Sequence, residues 1–391
     1  MSDAIARPET LAPAPGDPAR LDAFIPTPCV QNHAAFLLPL ADGTLLCTWF
    51  GGTQEGVPDI SVHLSRLAPG ATRWTDPVRL SDDPTRSEQN PLLFAAPDGR
   101  LWLLWTAQVA GNQDTALVRR RISADGGLTW GPIETLIPER PGYGTFIRNP
   151  VTVTAHGDWL LPIWRCTKPP VGAWTGELDT SSVLLSADQG RSWEEIAVPG
   201  STGCVHMSIV AAPGGTLLAF FRSRWADHVH RSVSADGGRS WSAPVPTVLP
   251  NNNSSIQAIA LVNGHVALAF NASSAADATG RRLSLYDDIG GEDMRPPAAP
   301  AVGRSAFWGA PRAPMTLAIS GDGGLTWPWR RNLETGDGYC MTNNSKDRLN
   351  REFSYPALCQ TADGALHVAF TYWRQAIKYV RVSEDWVRRG D

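Results

Sequence analysis

Along the chain, a short polar turn carrying glycine is followed again and again by an apolar run of strand length. It reads ADGTLLCTWF (41–50), PDGRLWLLW (97–105), HGDWLLPIW (156–164), GGTLLAFF (214–221), NGHVALAF (263–270) and ADGALHVAF (362–370). Asp-Gly and Asn-Gly tips suit β-hairpins, because such turns need a residue at positive φ. The turn glycines Gly43, Gly99, Gly157, Gly215, Gly264 and Gly364 are spaced by 56, 58, 58, 49 and 100 residues. The last interval is long because it holds an Ala/Pro-rich insertion near 272–306 and a polar stretch around 336–352. A self-similar period of this length signals a repeat architecture.

Upstream of each turn lies a second apolar segment, and each opens on polar or ring-bearing residues. These segments are QNHAAFLLPL, EQNPLLFAA, IRNPVTVTA, CVHMSIVAA, NNSSIQAIALV and FSYPALCQTA. The openings are Gln31/Asn32/His33, Glu88/Gln89/Asn90, Arg148/Asn149, His206, Asn251 to Ser255 with Gln257, and Ser354/Tyr355. One such opening is an ordinary solvated strand end. Six at equivalent places predict one rim, where the far ends of the second strands add Glu55, Gln108, Arg165, Arg222, Asn271 and Arg374. The predicted site is concave and polar, with its groups held on strands.

A second repeat interleaves with the first: SADGGLTW (123–130), SADQGRSW (186–193), SADGGRSW (234–241) and SGDGGLTW (320–327), with a degenerate SRLAPGATRW at 65–74. In S-x-D-x-G-x-x-W the carboxylate accepts backbone N–H groups, glycine supplies the left-handed residue and tryptophan pins the turn to its sheet. These residues are expected to be structural. Together the repeats predict an all-β, six-bladed β-propeller of four-stranded blades, with a seventh blade inside the long interval as the alternative. Residues 1–24 are expected to be a flexible arm and 25–391 a single propeller domain.

Composition narrows the function classes. A net charge of -4 and a pI of about 6.1 give no basic surface for nucleic acid or anionic membrane. No apolar run approaches the ~20 residues of a membrane helix, and the start lacks the pattern of a signal peptide. The six cysteines are scattered, without a CxxC pair, and are expected to be reduced thiols of a cytoplasmic protein. No metal or cofactor is expected. Asp227, His228 and His230 read as a loop near the pocket, because alternating strand faces separate adjacent ligands.

The S-x-D-x-G-x-x-W turns are the Asp-boxes of sialidase-like proteins, and much of 29–386 resembles the sialidase-like BNR-repeat β-propeller family. LPNNNSSIQAIALVNGHVALAFN, APRAPMTLAISGDGGLTW and REFSYPALCQTADGALHVAFTYWRQAIKYV carry the resemblance. In that family three arginines clamp the substrate carboxylate, a tyrosine assisted by a glutamate is the nucleophile, and a mobile acidic residue is the acid/base. The resemblance implies Tyr355 as the tyrosine, Arg222 and Arg312 as the second and third clamp arginines, and Glu55 (or Asp59) as the acid/base. Two positions depart from it. Asn32-His33-Ala34 replaces the motif that carries the first arginine, and His206 stands where the glutamate is expected.

Two arginines with two histidines suggest different chemistry. Arginine neutralises a carboxylate and stabilises the enolate-like charge that forms when its α-proton leaves. Histidine acts as base or acid near neutrality. That is the requirement for β-elimination from a uronate, and the pattern is similar to propeller enzymes acting on rhamnose–glucuronate linkages. The expected substrate is an acidic oligosaccharide. Catalytic candidates are His33, His206, Tyr355 and Glu55; substrate-binding candidates are Arg222, Arg312, Asn32, Gln89, Asn90, Arg148, Asn252, Asn253 and Arg165. An exo-glycoside hydrolase, sialidase-like or α-L-rhamnosidase-like, and a non-catalytic glycan-binding propeller remain the alternatives.

Overall fold

A computed structural model describes residues 7–282, 285 and 303–391. Blade 1 is built from Gln31–Pro39, Leu45–Gly52, Ser61–Leu67 and Val78–Arg79, paired antiparallel in that order. Blade 2 runs from Ser87–Ala95 to Glu134–Ile137, and blade 3 from Tyr143–Ile147 to Glu194–Ala197. Blade 4 runs from Cys204–Ala211 to Val245–Pro250, and blade 5 from Gln257–Ala260 to Trp329–Glu334. Blade 6 takes Phe353–Gln360, Leu366–Tyr372 and Ala376–Val382 from the C-terminal part of the chain. Each glycine turn joins the first and second strands of its blade. Six blades account for the described strands; among the described residues the long interval adds no seventh and completes blade 5 with Met315–Ser320 and Trp329–Glu334. Most of the 272–306 insertion lies outside the described residues.

The expected arm is corrected where it is described. Asp17–Ile25 pairs with Ala376–Val382 as the fourth strand of blade 6, and Ala12–Ala14 adds a fifth outside it. The physical reason is the open edge of a three-stranded blade, which the N-terminal strand covers. Phe24 packs edge-on against Tyr372, with ring centroids 5.1 Å apart, and Arg20 pairs with Asp22 and Glu334. The ring is therefore closed by strands from both ends of the chain.

The Asp-boxes sit between the third and fourth strands of blades 2 to 5. In the first, Asp125 accepts the N–H groups of Leu128 and Thr129 at 3.0 and 2.9 Å, while Ser123 Oγ accepts from Gly127. Between blades the apolar faces of adjacent sheets interlock, as where Trp159 of blade 3 meets Phe94 and Trp102 of blade 2.

Four of the six inner strands share one irregularity that positions the site. Their registers slip between His33 and Phe36, Gln89 and Leu92, Val205 and Ser208, and Ser354 and Ala357. Each slip is a β-bulge holding a left-handed residue: Ala34, Asn90, His206 and Tyr355, with φ of 59°, 51°, 53° and 51°. A bulge ends regular pairing and re-aims side chains. Left-handed backbone is unfavourable for a bulky non-glycine residue, and here it is adopted by two ring residues on the axis.

Candidate active site

Tyr355 is the hub of the axial chamber. The guanidiniums of Arg148, Arg222 and Arg312 lie 5.6, 5.7 and 5.7 Å from its ring centroid. The His33 ring leans on it at 4.3 Å and the His206 ring meets it edge-on at 5.6 Å. Arg222 Nη1 donates to Tyr355 Oη at 2.8 Å, and Arg222 Nε donates to Asn253 Oδ1 at 2.8 Å. Behind the ring, Arg312 pairs with Glu352 at 3.1 Å, Glu352 with Arg374 at 2.6 Å, and Arg374 with Glu55 at 2.5 Å. None of these groups is more than 6% exposed.

The two histidines differ in what their ring nitrogens do. His206 Nε2 lies 3.2 Å from Arg222 Nη1, which can only donate, so its Nδ1 carries the proton toward Ser255 Oγ at 3.0 Å. His33 Nδ1 lies 2.8 Å from Thr371 Oγ1, which also accepts from the Ala34 N–H. His33 Nε2 is buried without a hydrogen-bond partner, as are Arg222 Nη2 and Arg148 Nη1. Most buried polar atoms are satisfied by protein or water, so orphans converging on one chamber mark a place for a polar ligand.

Charge points the same way. Among the described residues, the cations of Arg148, Arg222, Arg312 and Arg374 face the carboxylates of Glu55 and Glu352, which leaves two positive charges in excess. Burial, with the arginines around them, holds both His33 and His206 well below the usual histidine range, so both are neutral at pH 7. Burial also lowers Arg148 and Arg222 to about 10, and they stay charged. Burial acts against ionised Glu352, but Arg312 and Arg374 outweigh it and hold its carboxyl below the ordinary value. A buried surplus of positive charge is costly until an anion arrives.

The remaining sequence candidates fall elsewhere. Arg148 Nη2 reaches the carbonyls of Ala35, Tyr355 and Pro356 at 2.8, 3.1 and 3.1 Å, so the group expected to bind substrate clamps three backbone positions of blades 1 and 6. Arg165 does not join the chamber: Glu195 draws it outward, and it lies over Tyr143. Asn32 is engaged by Trp49 Nε1 and the carbonyls of Cys29 and Gln375, and Asn252 by Pro311 O. Gln89 bonds Ser87, and Asn90 occupies the bulge of blade 2. Asn253 orients Arg222 and donates to Phe307 O at 2.8 Å. Glu55 reaches the chamber but is held by Arg374, while Asp59 on the same loop is exposed. Asp227 pairs with Arg304. Among the described residues no group of three His, Cys, Asp or Glu side chains is arranged to hold a metal.

Sequence reasoning missed Glu352, although an acidic residue just before the blade 6 opening parallels Glu88 in blade 2. It also missed Asp179 and Arg224, a fully buried pair at 2.7 Å whose guanidinium lies against both Trp174 and Trp308.

Residues 43–368 match the BNR repeat-like domain family. No curated protein matches the chain. Among solved structures, the Hadza microbial sialidase Hz136 superposes with a TM-score of 0.66 at 14% identity, covering 92% of this chain and 67% of its own. A Dyadobacter fermentans DSM 18053 protein of unknown function gives 0.66 at 16%, covering 93% and 99%. The intramolecular trans-sialidase of Ruminococcus gnavus, solved with oseltamivir carboxylate, gives 0.64 at 13%, covering 91% and 95%. At such identities the likeness concerns the fold. With the family match over most of its length, the chain belongs to the BNR repeat-like domain family, in its sialidase-like six-bladed propeller form.

Proposed function

We propose that the protein is a carbohydrate-active enzyme that cuts at a uronate-bearing end of an acidic oligosaccharide by β-elimination. The observation that carries this reading is the unpartnered Nε2 of His33, facing Tyr355 in a chamber with two surplus cations. The uronate carboxylate would lie against Arg222, with Arg148 and Arg312 adding to the field. His33 Nε2 removes the C5 proton, the C4=C5 double bond forms, the C4–O bond breaks, and Tyr355 gives its proton to the departing oxygen. The arginines stabilise the charge that develops on the carboxylate side. Being neutral, His33 can accept that proton; burial and the arginine field make it a weak base, and an incoming carboxylate offsets the second of these. A rhamnose–glucuronate end fits this chemistry.

Hydrolysis is the second reading, favoured by the fold shared with sialidases and by a tyrosine among arginines. Against it, Tyr355 Oη has Arg222 as its partner, and the nearby Glu352 is held by Arg312 and Arg374. The test is turnover of uronate-terminated and sialylated oligosaccharides, followed together by ultraviolet absorbance of the unsaturated product and by reducing ends. Elimination predicts both signals, lost in His33→Ala and Tyr355→Phe. Reducing ends without new absorbance would establish hydrolysis instead, and binding without turnover would leave a glycan-binding propeller.

A further inference from the structure

One loop carries both a residue of the chamber and part of the lining of a separate cleft. That loop joins the second and third strands of blade 1 across residues 53–60. Its Glu55 reaches inward to Arg374, while its Asp59 faces away and accepts the Thr53 N–H at 3.2 Å. On the Asp59 side lies a cleft of about 550 Å³.

The floor of the cleft is His63, stacked on Trp49 with centroids 5.9 Å apart and planes 22° apart. Its Nε2 lies 3.2 Å from Ser61 Oγ and 3.6 Å from Cys29 Sγ. Burial lowers His63 to about 4, with Arg79 acting in the same direction, so the floor is neutral. The walls carry one anion, Asp59, and one cation, Arg79, whose salt bridge to Asp82 is long at 3.4 Å and solvent-exposed. Val30, which is 45% exposed, and Pro77 supply an apolar edge.

This chemistry is the reverse of the chamber's. There is no surplus positive charge to attract a carboxylate. Donors and acceptors alternate beside an apolar edge, which suits the hydroxyls and C–H face of a neutral pyranose. We propose that the cleft is a second sugar subsite, taking a neutral residue joined to the acidic sugar held in the chamber. The proposal rests on the reading of the chamber as an acidic-sugar site, and it narrows the substrate to one with a neutral neighbour on the blade 1 side.

The full chain supplies its own probe, because Cys29 is the one partly exposed cysteine and the other five are buried. Iodoacetamide alkylation of Cys29, read by intact mass at mildly alkaline pH, is repeated with methyl glycosides of glucose, galactose, mannose and rhamnose, and with glucuronate. At about four times its Kd, a neutral glycoside that occupies the cleft should slow alkylation about fivefold. Glucuronate should not. Arg79→Ala and Ser61→Ala should each abolish the protection, with folding checked by melting temperature. A disaccharide joining glucuronate to the protecting sugar should protect at lower concentration than the free sugar, since linkage makes the second contact intramolecular.

If neither the neutral glycosides nor the disaccharide slow alkylation, the subsite is refuted, whatever the chamber does. Protection that persists in both variants would also refute it. Protection by a neutral glycoside without any thermal shift from glucuronate would uphold a sugar site in the cleft and refute the chamber reading on which its link to an acidic sugar depends.

Discussion

Acidification should unfold this protein in a window set by buried histidines. His33 and His206 are held well below 6.5 by burial and by the surrounding arginines. His63 and His367 are lowered to about 4, chiefly by burial. All four are at most 5% exposed, so solvent does little to screen the effect. An unfolded histidine titrates near 6.5, and between that pH and the lower folded value the unfolded chain binds more protons. Stability is therefore fully present above about pH 6.5 and is lost as pH falls toward the folded values. Each histidine contributes about 1.4 kcal/mol per pH unit inside the window. Four together give about 5 kcal/mol per unit at the steepest, against a typical total of about 5–15 kcal/mol.

His230, also lowered by burial, adds in the same direction. Asp179, raised by burial, works the opposite way. The Asp-box carboxylates Asp188, Asp236 and Asp322, lowered to about 2 by their turn hydrogen bonds, act only in stronger acid, although burial opposes the shift at Asp322. Urea melts at constant ionic strength from pH 8 to 4.5 measure the effect, because the slope of stability against pH counts the protons taken up on unfolding. The expected uptake is about four near pH 5.5, falling by about one in His63→Gln and again in His367→Gln. A flat profile between pH 7 and 5 would refute the reasoning.

Charge balance predicts that Arg374→Met, which strands Glu55 and removes one of two cations from Glu352, costs about 3–5 kcal/mol. Arg222→Met removes a surplus cation, so denaturant melts should show a loss smaller by at least about 2 kcal/mol, while the thermal shift given by an acidic sugar disappears. Tyr355→Phe leaves one buried N–H of Arg222 without its acceptor and should cost about 1–3 kcal/mol, while lowering kcat about 10²–10⁴-fold, as denaturant melts and steady-state kinetics would show. Asp322→Ala frees the N–H groups of Leu325 and Thr326 that its carboxylate accepts at 3.0 and 2.9 Å. It should lower the melting temperature by roughly 1–3 °C and leave the ligand-induced shift intact.

The blades were legible because hairpins are local: the glycine turn, the apolar run and the Asp-box all lie within one repeat. The closing strand was not, because Asp17–Ile25 pairs with a segment more than 350 residues away and its own sequence is short of apolar alternation. The chamber was legible as six polar openings but not atom by atom. Arg165 and Arg222 end equivalent strands, yet Glu195 on the outer strand of blade 3 turns one outward, while Asn253 and Tyr355 hold the other on the axis. Asn32 and Asn253 look alike in sequence, yet the Asn32 oxygen accepts from Trp49 Nε1 while the Asn253 oxygen accepts from Arg222. Glu352 shows in sequence only as a parallel to Glu88, because its role comes from Arg312 and Arg374, which lie on separate connections of blades 5 and 6.

The axial chamber gathers features that each cost stability, and their coincidence is the argument for use. His206 and Tyr355 adopt left-handed backbone at about 1–3 kcal/mol each. Among the described residues, two guanidinium charges lie buried beyond what the carboxylates balance, and His33 Nε2, Arg222 Nη2 and Arg148 Nη1 lack partners. A ring whose blades needed only to close could fill its axis with small apolar side chains. Here Arg148 crosses the axis to grip the carbonyls of Tyr355 and Pro356, holding the strained bulge from the opposite side. The cation that the sequence offered as a ligand for substrate thus secures the residue that would act on it, and the strain persists because the closed ring over-determines it.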